Sequence, residues 1–349
     1  MNVTFLIGNG FDLNCGLKSS YRDVYNEYIK QPSKTPRIKK FKEDIWNDID
    51  NWGDFELRMS NYLSTFNTEN DFLECLRDFK SYLNTYLENE QSHFFDKLSN
   101  DRLSERASIE MSESINKFYT GITRNLEAEI NSLRKNDSLH WNYYSYICFN
   151  YTNVLDRLIK SEEQSNIIHI HGRINQDIVL GMDNENQLTN HSFALTNRSK
   201  RAFIKPFFNF EFDRSRVILA ENRIKQSDVI CVYGMSLGES DNSWKKLLLK
   251  WLEEKENNHL FIYKRRYTKL VTPNYDERMD FEEEAKNELQ ELLGCNEAIM
   301  KKIHIPCGRN IFNIKKVIEE EQQKMIAEGK AIMERHKAQK EKNKKYIVS

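Results

Sequence analysis

Residues 4–17 read TFLIGNGFDLNCGL and predict a first strand that ends in a glycine-rich turn. An apolar run of β type meets Gly8, Gly10 and Gly16 there. Glycine tolerates positive φ and has no side chain to hold a ligand away, so the turn could bring backbone N–H groups close to a phosphate. The spacing differs from the Gly-x-Gly-x-x-Gly of dinucleotide-binding dehydrogenases, which weakens that interpretation. A tight turn without a ligand uses glycine for the same steric reason.

The composition is that of a globular protein with much helical surface. Of 349 residues, 52 are basic and 53 are acidic, so the net charge is −1 and no overall field attracts nucleic acid or a membrane. The start, MNVT, lacks the positive region of a signal peptide, and no apolar run is long enough to span a bilayer. We therefore expect a cytoplasmic protein. Six cysteines without a Cys-x-x-Cys pair predict that most are buried free thiols and do not support a zinc ribbon.

The region between Ser20 and Asn136 predicts a helical insertion, because its apolar residues recur at helical spacing. A break between the first two helices is expected at residues 33–36, where a proline occurs. The two clearest stripes comprise Phe72, Leu76, Phe79, Leu83 and Tyr86, and then Ile115, Phe118, Ile122, Leu126, Ile130 and Leu133.

Strand character returns after the insertion and alternates with helical patterns, such as those at residues 152–161 and 243–254. The predicted strands lie at residues 143–149, 166–171, 177–180, 228–233, 259–263 and 302–305. Such alternation indicates a mainly parallel sheet with helices on its faces, and ligands bind beyond the carboxyl ends of such strands. From about Ile314 the sequence predicts a solvated, charge-dense helix that ends in a basic tail.

Three later strand ends carry polar residues. Asn150 stands where one strand stops, and its amide could orient a water or a ribose hydroxyl, or merely stabilise the turn. His169 and His171 share one face of the next strand, so one of them could act as a base or both could bind a metal. We favour His171 as the base, with His169 a core histidine and no metal, since no carboxylate or cysteine partner is evident nearby.

The fourth strand end reads VICVYGMSLGESD at residues 229–241. An apolar strand runs into Gly234, Ser236 and Gly238 and reaches Asp241 just before a predicted helix. Ser236 could bond a phosphate or ribose oxygen, and Asp241 could bond ribose hydroxyls. Alternatively, Ser240 or Asp241 could simply cap the helix.

The order of these four motifs resembles that of the sirtuin-type NAD-binding fold, which has Gly-Ala-Gly-x-Ser, Gln-Asn-x-Asp, His-Gly and Gly-Thr-Ser-Leu. More closely, LIGNGFDL with Gly16, Leu17 and Tyr21, together with SLGESD, resembles the AbiH family of bacteriophage abortive-infection proteins. The AbiH likeness covers residues 3–250, whereas the sirtuin likeness is confined to the four short motifs.

The resemblance implies an α/β, sirtuin-like Rossmann-type fold with a mainly parallel sheet, a large helical insertion and a C-terminal helix. The core would comprise residues 1–20 and 140–312, the insertion residues 21–139, and the charged helix and tail residues 313–349. The implied catalytic residues are Asn150, His171 and Asp12. The implied cofactor-binding residues are Gly8, Asn9, Gly10, Phe11, Gly16, Gly234, Ser236 and Asp241.

Departures from the sirtuin pattern shape the expected activity. The zinc cysteines have no counterpart, Thr152 replaces an Asp, and Asp12 takes the place of a Ser. These differences argue against protein deacylation and are compatible with simple hydrolysis of the cofactor. The leading hypothesis is therefore a phage-defence effector that takes NAD as its substrate and cleaves it to nicotinamide and ADP-ribose, without a metal.

Two other hypotheses stay open. The same pocket could act on another nucleotide or on RNA, with Asp54 and Glu56 entering it if the insertion folds over the site; otherwise these residues form a charged first helical turn and Trp52 packs in a core. Alternatively, the protein could sense a nucleotide without consuming it. A homo-oligomer and a phage-derived trigger are possible partners, a membrane is not expected, and nucleic acid is a less favoured partner.

Overall fold

The computed structural model describes residues 1–120, 124–135, 143–159, 161–176, 178–188, 191–212, 214–268, 275–308 and 310–347. Its centre is a sheet of six parallel strands in the order β3-β2-β1-β4-β5-β6. The strands are β1 (Asn2–Ile7), β2 (Tyr143–Cys148), β3 (Ile167–His169), β4 (Val229–Tyr233), β5 (His259–Tyr263) and β6 (Ile303–His304).

The strand order puts the start of the chain in the middle of the sheet. From β1 the chain adds strands on one side, returns to pair β4 with β1, and then adds strands on the other side. Ile7 is level with Cys148 of β2 and with Tyr233 of β4, so the three central strands end together. The loops after these strands therefore meet at one edge, beside the point where the direction of winding reverses.

Helices fill the connections between the strands. Between β1 and β2 lie α1 (Gly10–Cys15), α2 (Tyr21–Tyr28), α3 (Pro36–Asn47), α4 (Phe55–Tyr62), α5 (Glu69–Lys97), α6 (Asp101–Lys117) and α7 (Arg124–Lys135). The later helices are α8 (Val154–Leu158), α9 (Asn197–Phe203), α10 (Lys205–Phe212), α11 (Arg214–Gln226), α12 (Asn242–Glu254), α13 (Arg265–Thr268), α14 (Tyr275–Leu293), α15 (Glu297–Met300) and α16 (Ile314–Ile347).

The sheet separates two apolar cores, and the insertion has a third. Phe5 points to one face of the sheet, where α6 and α16 pack, and Leu6 points to the other face, where α11 and α12 pack. The third core is aromatic, and in it the rings of Phe55 and Phe79 stack 4.1 Å apart. Because α6 packs in a core of the sheet, the insertion contacts the sheet directly and is not attached to it only through its two chain connections.

Local sequence signals explain several helix boundaries. Ser20 and Asp23 form a capping box at the start of α2. Pro36 occupies the first turn of α3, which confirms the predicted break before it. The C-terminal helix begins at Ile314 as predicted, but its first turns are buried against the sheet core, so only its later part matches the solvated helix expected from the charge pattern.

Some predicted elements are wrong in their type or bounds. Residues 178–180 are not a strand, because Ile178 and Leu180 pack in the insertion core with no neighbouring strand; Asp177 lies outside the described residues. The second apolar stripe is divided between α6 and α7, and Ile122 lies outside the described residues. The helix expected at residues 152–161 is only α8. The predicted domain boundary at residues 139 and 140, and the last two residues of the tail, also lie outside the described part.

Two composition-based expectations can be compared with the structure. Five of the six cysteines are buried free thiols, and Cys295 is partly exposed, which confirms the prediction that most are buried. Within the described ranges, no helix has the length and apolar character needed to cross a membrane.

Candidate functional site

The four candidate residues at the strand ends all lie at the carboxyl edge of the sheet. Asp12 is in α1 directly after β1, Asn150 and His171 each follow their strand by two residues, and Asp241 follows β4. Asp12, Asn150 and His171 are buried, and the Asp241 side chain is 17 % exposed. The sequence therefore delivers one polar group to this edge from each of four parallel strands.

Asp12 joins the ends of β1 and β2. Its carboxylate accepts hydrogen bonds from Asn150 Nδ2 at 2.8 Å and from Thr152 Oγ1 at 2.6 Å. Burial raises the pKa of Asp12 to about 6, although both bonds lower it. The bond to Asp12 fixes the Asn150 amide, whose Oδ1 is buried and has no hydrogen-bond partner among the described residues. Asp12 and Asn150 are thus brought together, and Thr152 is part of the same cluster.

His171 presents an unbonded nitrogen at the end of β3. The side chain is buried, and within the described structure Nε2 has no hydrogen-bond partner. The nearest carboxylate, Asp241 Oδ1, is 3.9 Å away, which is too far for a hydrogen bond. Burial and the nearby Lys205 ammonium lower the pKa of His171 to about 3, so the imidazole is neutral at physiological pH.

Asp241 belongs to a buried ion pair. Lys205 Nζ donates to Asp241 Oδ1 at 2.9 Å and to the Ser240 carbonyl at 2.6 Å. Burial raises the pKa of Asp241, but Lys205 and His171 lower it below its ordinary value, so the carboxylate is ionised. The Asp241 side chain does not cap α12; Asp183 does, by accepting from the Ser243 amide at 2.5 Å. Asp241 therefore pairs with Lys205 and lies near His171 instead of capping the helix.

The insertion supplies further carboxylates. Glu56 is buried and accepts a hydrogen bond from Tyr21 Oη at 3.0 Å. Burial raises the pKa of Glu56 to about 7; Lys205 opposes this rise, and Asp54 adds to it. Asp54 caps α4 through the Leu57 amide, as its simpler interpretation predicts, but its Oδ2 also lies 3.5 Å from Ser240 Oγ. Asp54 therefore contacts the loop after β4, and Glu56 is near enough to interact electrostatically with Asp241 and Lys205.

Trp52 has only its core role. Its side chain is 1 % exposed and packs edge-on against Tyr25 and Phe41 inside the insertion.

The glycines of the opening turn pack against the loop after β4. Gly8 N donates to the Tyr233 carbonyl and Gly10 N to the Gly234 carbonyl, both at 2.9 Å. A Cβ on Gly10 would lie 2.5 Å from Gly234 Cα. Close contact between two backbones thus explains these glycines, and the Gly8 and Gly10 amides are already bonded. Their role in phosphate binding stays a prediction, in which other donors would hold the phosphate.

The remaining predicted cofactor-binding residues are dispersed. Asn9 bonds the Ser19 carbonyl and hydroxyl, Phe11 is buried in the sheet core, and Gly16 ends α1 with a φ of 97°. Ser236 is exposed on the loop after β4.

His169 is held by protein groups on both sides of its ring. Its Nε2 lies 2.9 Å from Asp156 Oδ2, and its Nδ1 lies 3.4 Å from the Asn150 carbonyl. Asp156 also pairs with Arg173 at 3.2 Å. This is the satisfied core histidine that the sequence favours over a metal ligand. Over the described residues, no group of three His, Cys, Asp or Glu side chains is arranged to hold a metal ion.

Sequence reasoning missed Lys205 and Asp183. Both lie between β3 and β4, away from the end of any strand. A search for polar residues directly after the strands therefore does not find them. One signal was available for Lys205, since it stands in the otherwise apolar run FIKPFF at residues 203–208. A lysine surrounded by apolar side chains needs a buried partner, and here the partner is Asp241.

The fold and site define an α/β protein whose central parallel sheet carries a buried polar site at its carboxyl edge. The chain matches the family model described as "Bacteriophage abortive infection AbiH" over residues 4–263, well over half of its length, and it belongs to that family. The membership supports a role in abortive infection by bacteriophage. No curated protein and no solved structure matches the chain.

Proposed function

We propose that this AbiH protein is a nucleotide hydrolase that cleaves NAD+ to nicotinamide and ADP-ribose. One observation carries the proposal: Asn150 Oδ1 and His171 Nε2 are both buried without a hydrogen-bond partner among the described residues, at neighbouring strand ends. Buried polar atoms are nearly always bonded, so two orphaned atoms at the ligand-binding edge of a parallel sheet favour a ligand between them.

The surrounding charges suit cleavage of the bond between nicotinamide and ribose. This reaction develops positive charge on the ribose, and the ionised Asp241, with Glu56 beside it, would stabilise that charge. As nicotinamide leaves with the electrons of the broken C–N bond, a water oxygen bonds to the ribose carbon and releases a proton. Asn150 Oδ1 would accept a hydrogen bond from that water.

The neutral His171 would receive the proton from the attacking water. The imidazolium so formed would be stabilised by Asp241 Oδ1, which lies 3.9 Å from Nε2. A general base with a pKa near the working pH typically contributes a factor of about 10² to 10⁴ in rate, and the low pKa of His171 puts its contribution at the lower end of that range. Loss of the imidazole should therefore reduce turnover by a factor of about 10².

The test measures free nicotinamide released from NAD+ by the purified protein and by extracts of phage-infected cells that express it. We expect His171→Ala and Asn150→Ala to lose activity, and His191→Ala, which alters an exposed histidine, to keep it. Infected-cell extracts are included because a host-toxic hydrolase is expected to need a phage-derived trigger. The proposal is wrong if neither preparation releases nicotinamide, or if the first two variants match the unaltered protein.

Glu56 favours a second candidate function in the same site. A buried carboxyl with a pKa of about 7 can donate and accept a proton near neutral pH, which also serves hydrolysis of phosphodiesters in RNA or other nucleotides. Shortened RNA without released nicotinamide would support this candidate. Retention of intact NAD+ on the protein would instead support a nucleotide sensor.

A further inference from the structure

A cavity of about 550 Å³ opens from the end of β3 between α10, α11 and α12. Its volume is within the range of ligand-binding pockets. His171 and Lys205 are among its polar lining residues, and Val217, Trp244 and Leu247 contribute apolar side chains. The cavity thus combines an apolar compartment with the His171 side chain.

Aromatic side chains connect the site to this cavity. Phe149 packs edge-on against both His171, with centroids 5.3 Å apart, and the buried Trp244, at 5.4 Å. Phe210, which is 71 % exposed, also lines the cavity. Apolar and aromatic walls of this kind suit a flat heteroaromatic ring.

The charged groups in the lining balance one another. Asp183 and Glu221 contribute carboxylates, and Lys205 and Arg214 contribute cations, of which Lys205 is paired with Asp241. A lining without net charge, with apolar walls, suits an uncharged ring.

We propose that this cavity receives the nicotinamide ring of the substrate and holds it as the ring leaves the ribose. The inference rests on the proposed function, which places the ribose beside His171 and Asn150. The nicotinamide ring is one bond away from the ribose carbon. A ribose beside His171 would therefore place the nicotinamide ring in the cavity that His171 lines.

The experiment measures binding of nicotinamide itself to the full chain by calorimetry and saturation-transfer NMR, without any turnover. Leu247→Trp would fill the cavity, and Phe210→Ser would remove an exposed aromatic wall with little effect on folding. The control is Trp46→Phe, because Trp46 is 53 % exposed on α3 and does not line this cavity. Thermal unfolding of each variant verifies that it is folded.

We expect saturable nicotinamide binding to the unaltered protein and to Trp46→Phe, and affinity lower by about tenfold or more in Leu247→Trp. If Leu247→Trp does not fold, Phe210→Ser decides, with a smaller loss expected. Absence of nicotinamide binding, or equal binding by the cavity variants, overturns the inference even if NAD+ is hydrolysed. Specific nicotinamide binding without hydrolysis would sustain the cavity assignment while the hydrolase proposal fails.

Discussion

Replacing Glu56 by Gln should change how the stability of the protein depends on pH. Burial raises the pKa of Glu56 from its ordinary value of 4.5 to about 7, so the folded protein holds this proton more tightly than the unfolded chain does. The contribution of Glu56 to the free energy of unfolding must therefore fall as pH rises from about 4.5 to about 7, and level off above that. Glu56→Gln has no proton to lose and keeps an oxygen that can accept from Tyr21 Oη.

The size of the effect follows from the two pKa values. At about 1.4 kcal/mol for each tenfold change in proton affinity, the ionised Glu56 destabilises the protein by about 3 kcal/mol at pH 8. At pH 5 the corresponding difference is only about 1 kcal/mol, because most of the carboxyl is still protonated in the folded state. The variant should thus be more stable than the unaltered protein, and increasingly so as pH rises.

Urea denaturation between pH 5 and 8, followed by tryptophan fluorescence, measures this difference. Asp12 also has a raised pKa, but it is present in both proteins, so its contribution cancels in the comparison. Glu334→Gln is the matched control, since Glu334 is exposed on α16. A stability difference between Glu56→Gln and the unaltered protein that stays constant with pH would refute the reasoning.

Three further predictions concern buried contacts. Lys205→Met should lower the free energy of unfolding by about 3 to 5 kcal/mol, because it leaves Asp241 without its cation. The added change Asp241→Leu should restore most of that free energy. Urea denaturation that shows no restoration would contradict a buried ion pair. The same Lys205→Met change should raise the pKa of His171, since the lysine lowers it, and NMR titration of the imidazole would show a rise or its absence. Gly10→Ala should lower the free energy of unfolding by about 1 to 3 kcal/mol, because the added Cβ meets Gly234. Gly329→Ala, in open space on α16, should raise the free energy of unfolding by about 0.5 to 1 kcal/mol. Melting curves that rank the two variants otherwise would be inconsistent with the close backbone contact.

Much of the sheet could be predicted from the sequence because its strands are short apolar runs buried on both faces. Five of the predicted later strands lie within two residues of the observed ones. The exception is the strand predicted at residues 177–180, of which Ile178 and Leu180 pack in the core of the insertion. The periodicity of apolar residues and the local composition indicate that a segment is buried. They do not indicate whether a neighbouring strand is available for pairing.

The candidate site was predictable only where its residues end strands. Asn150 and His171 each follow a strand by two residues. Because ligands bind beyond the carboxyl ends of parallel strands, the sequence is enough to identify both as candidates. Glu56 comes from the insertion and Lys205 from α10, and only tertiary packing brings these two residues near Asp241. The sequence predicts that the opening glycines approach a ligand, which stays a prediction, and it does not reveal their close contact with the loop after β4.

The wide spacing of the site along the chain has a consequence for synthesis on the ribosome. Asp12 is translated early, but β4, which pairs with β1, is complete only at residue 233, and Asp241, the partner of Lys205, appears only at residue 241 of 349. A nascent or prematurely terminated polypeptide shorter than 241 residues lacks the buried ion pair, and one that ends before residue 229 also lacks β4. Interrupted translation therefore yields fragments without an assembled site, whatever their length below 241 residues.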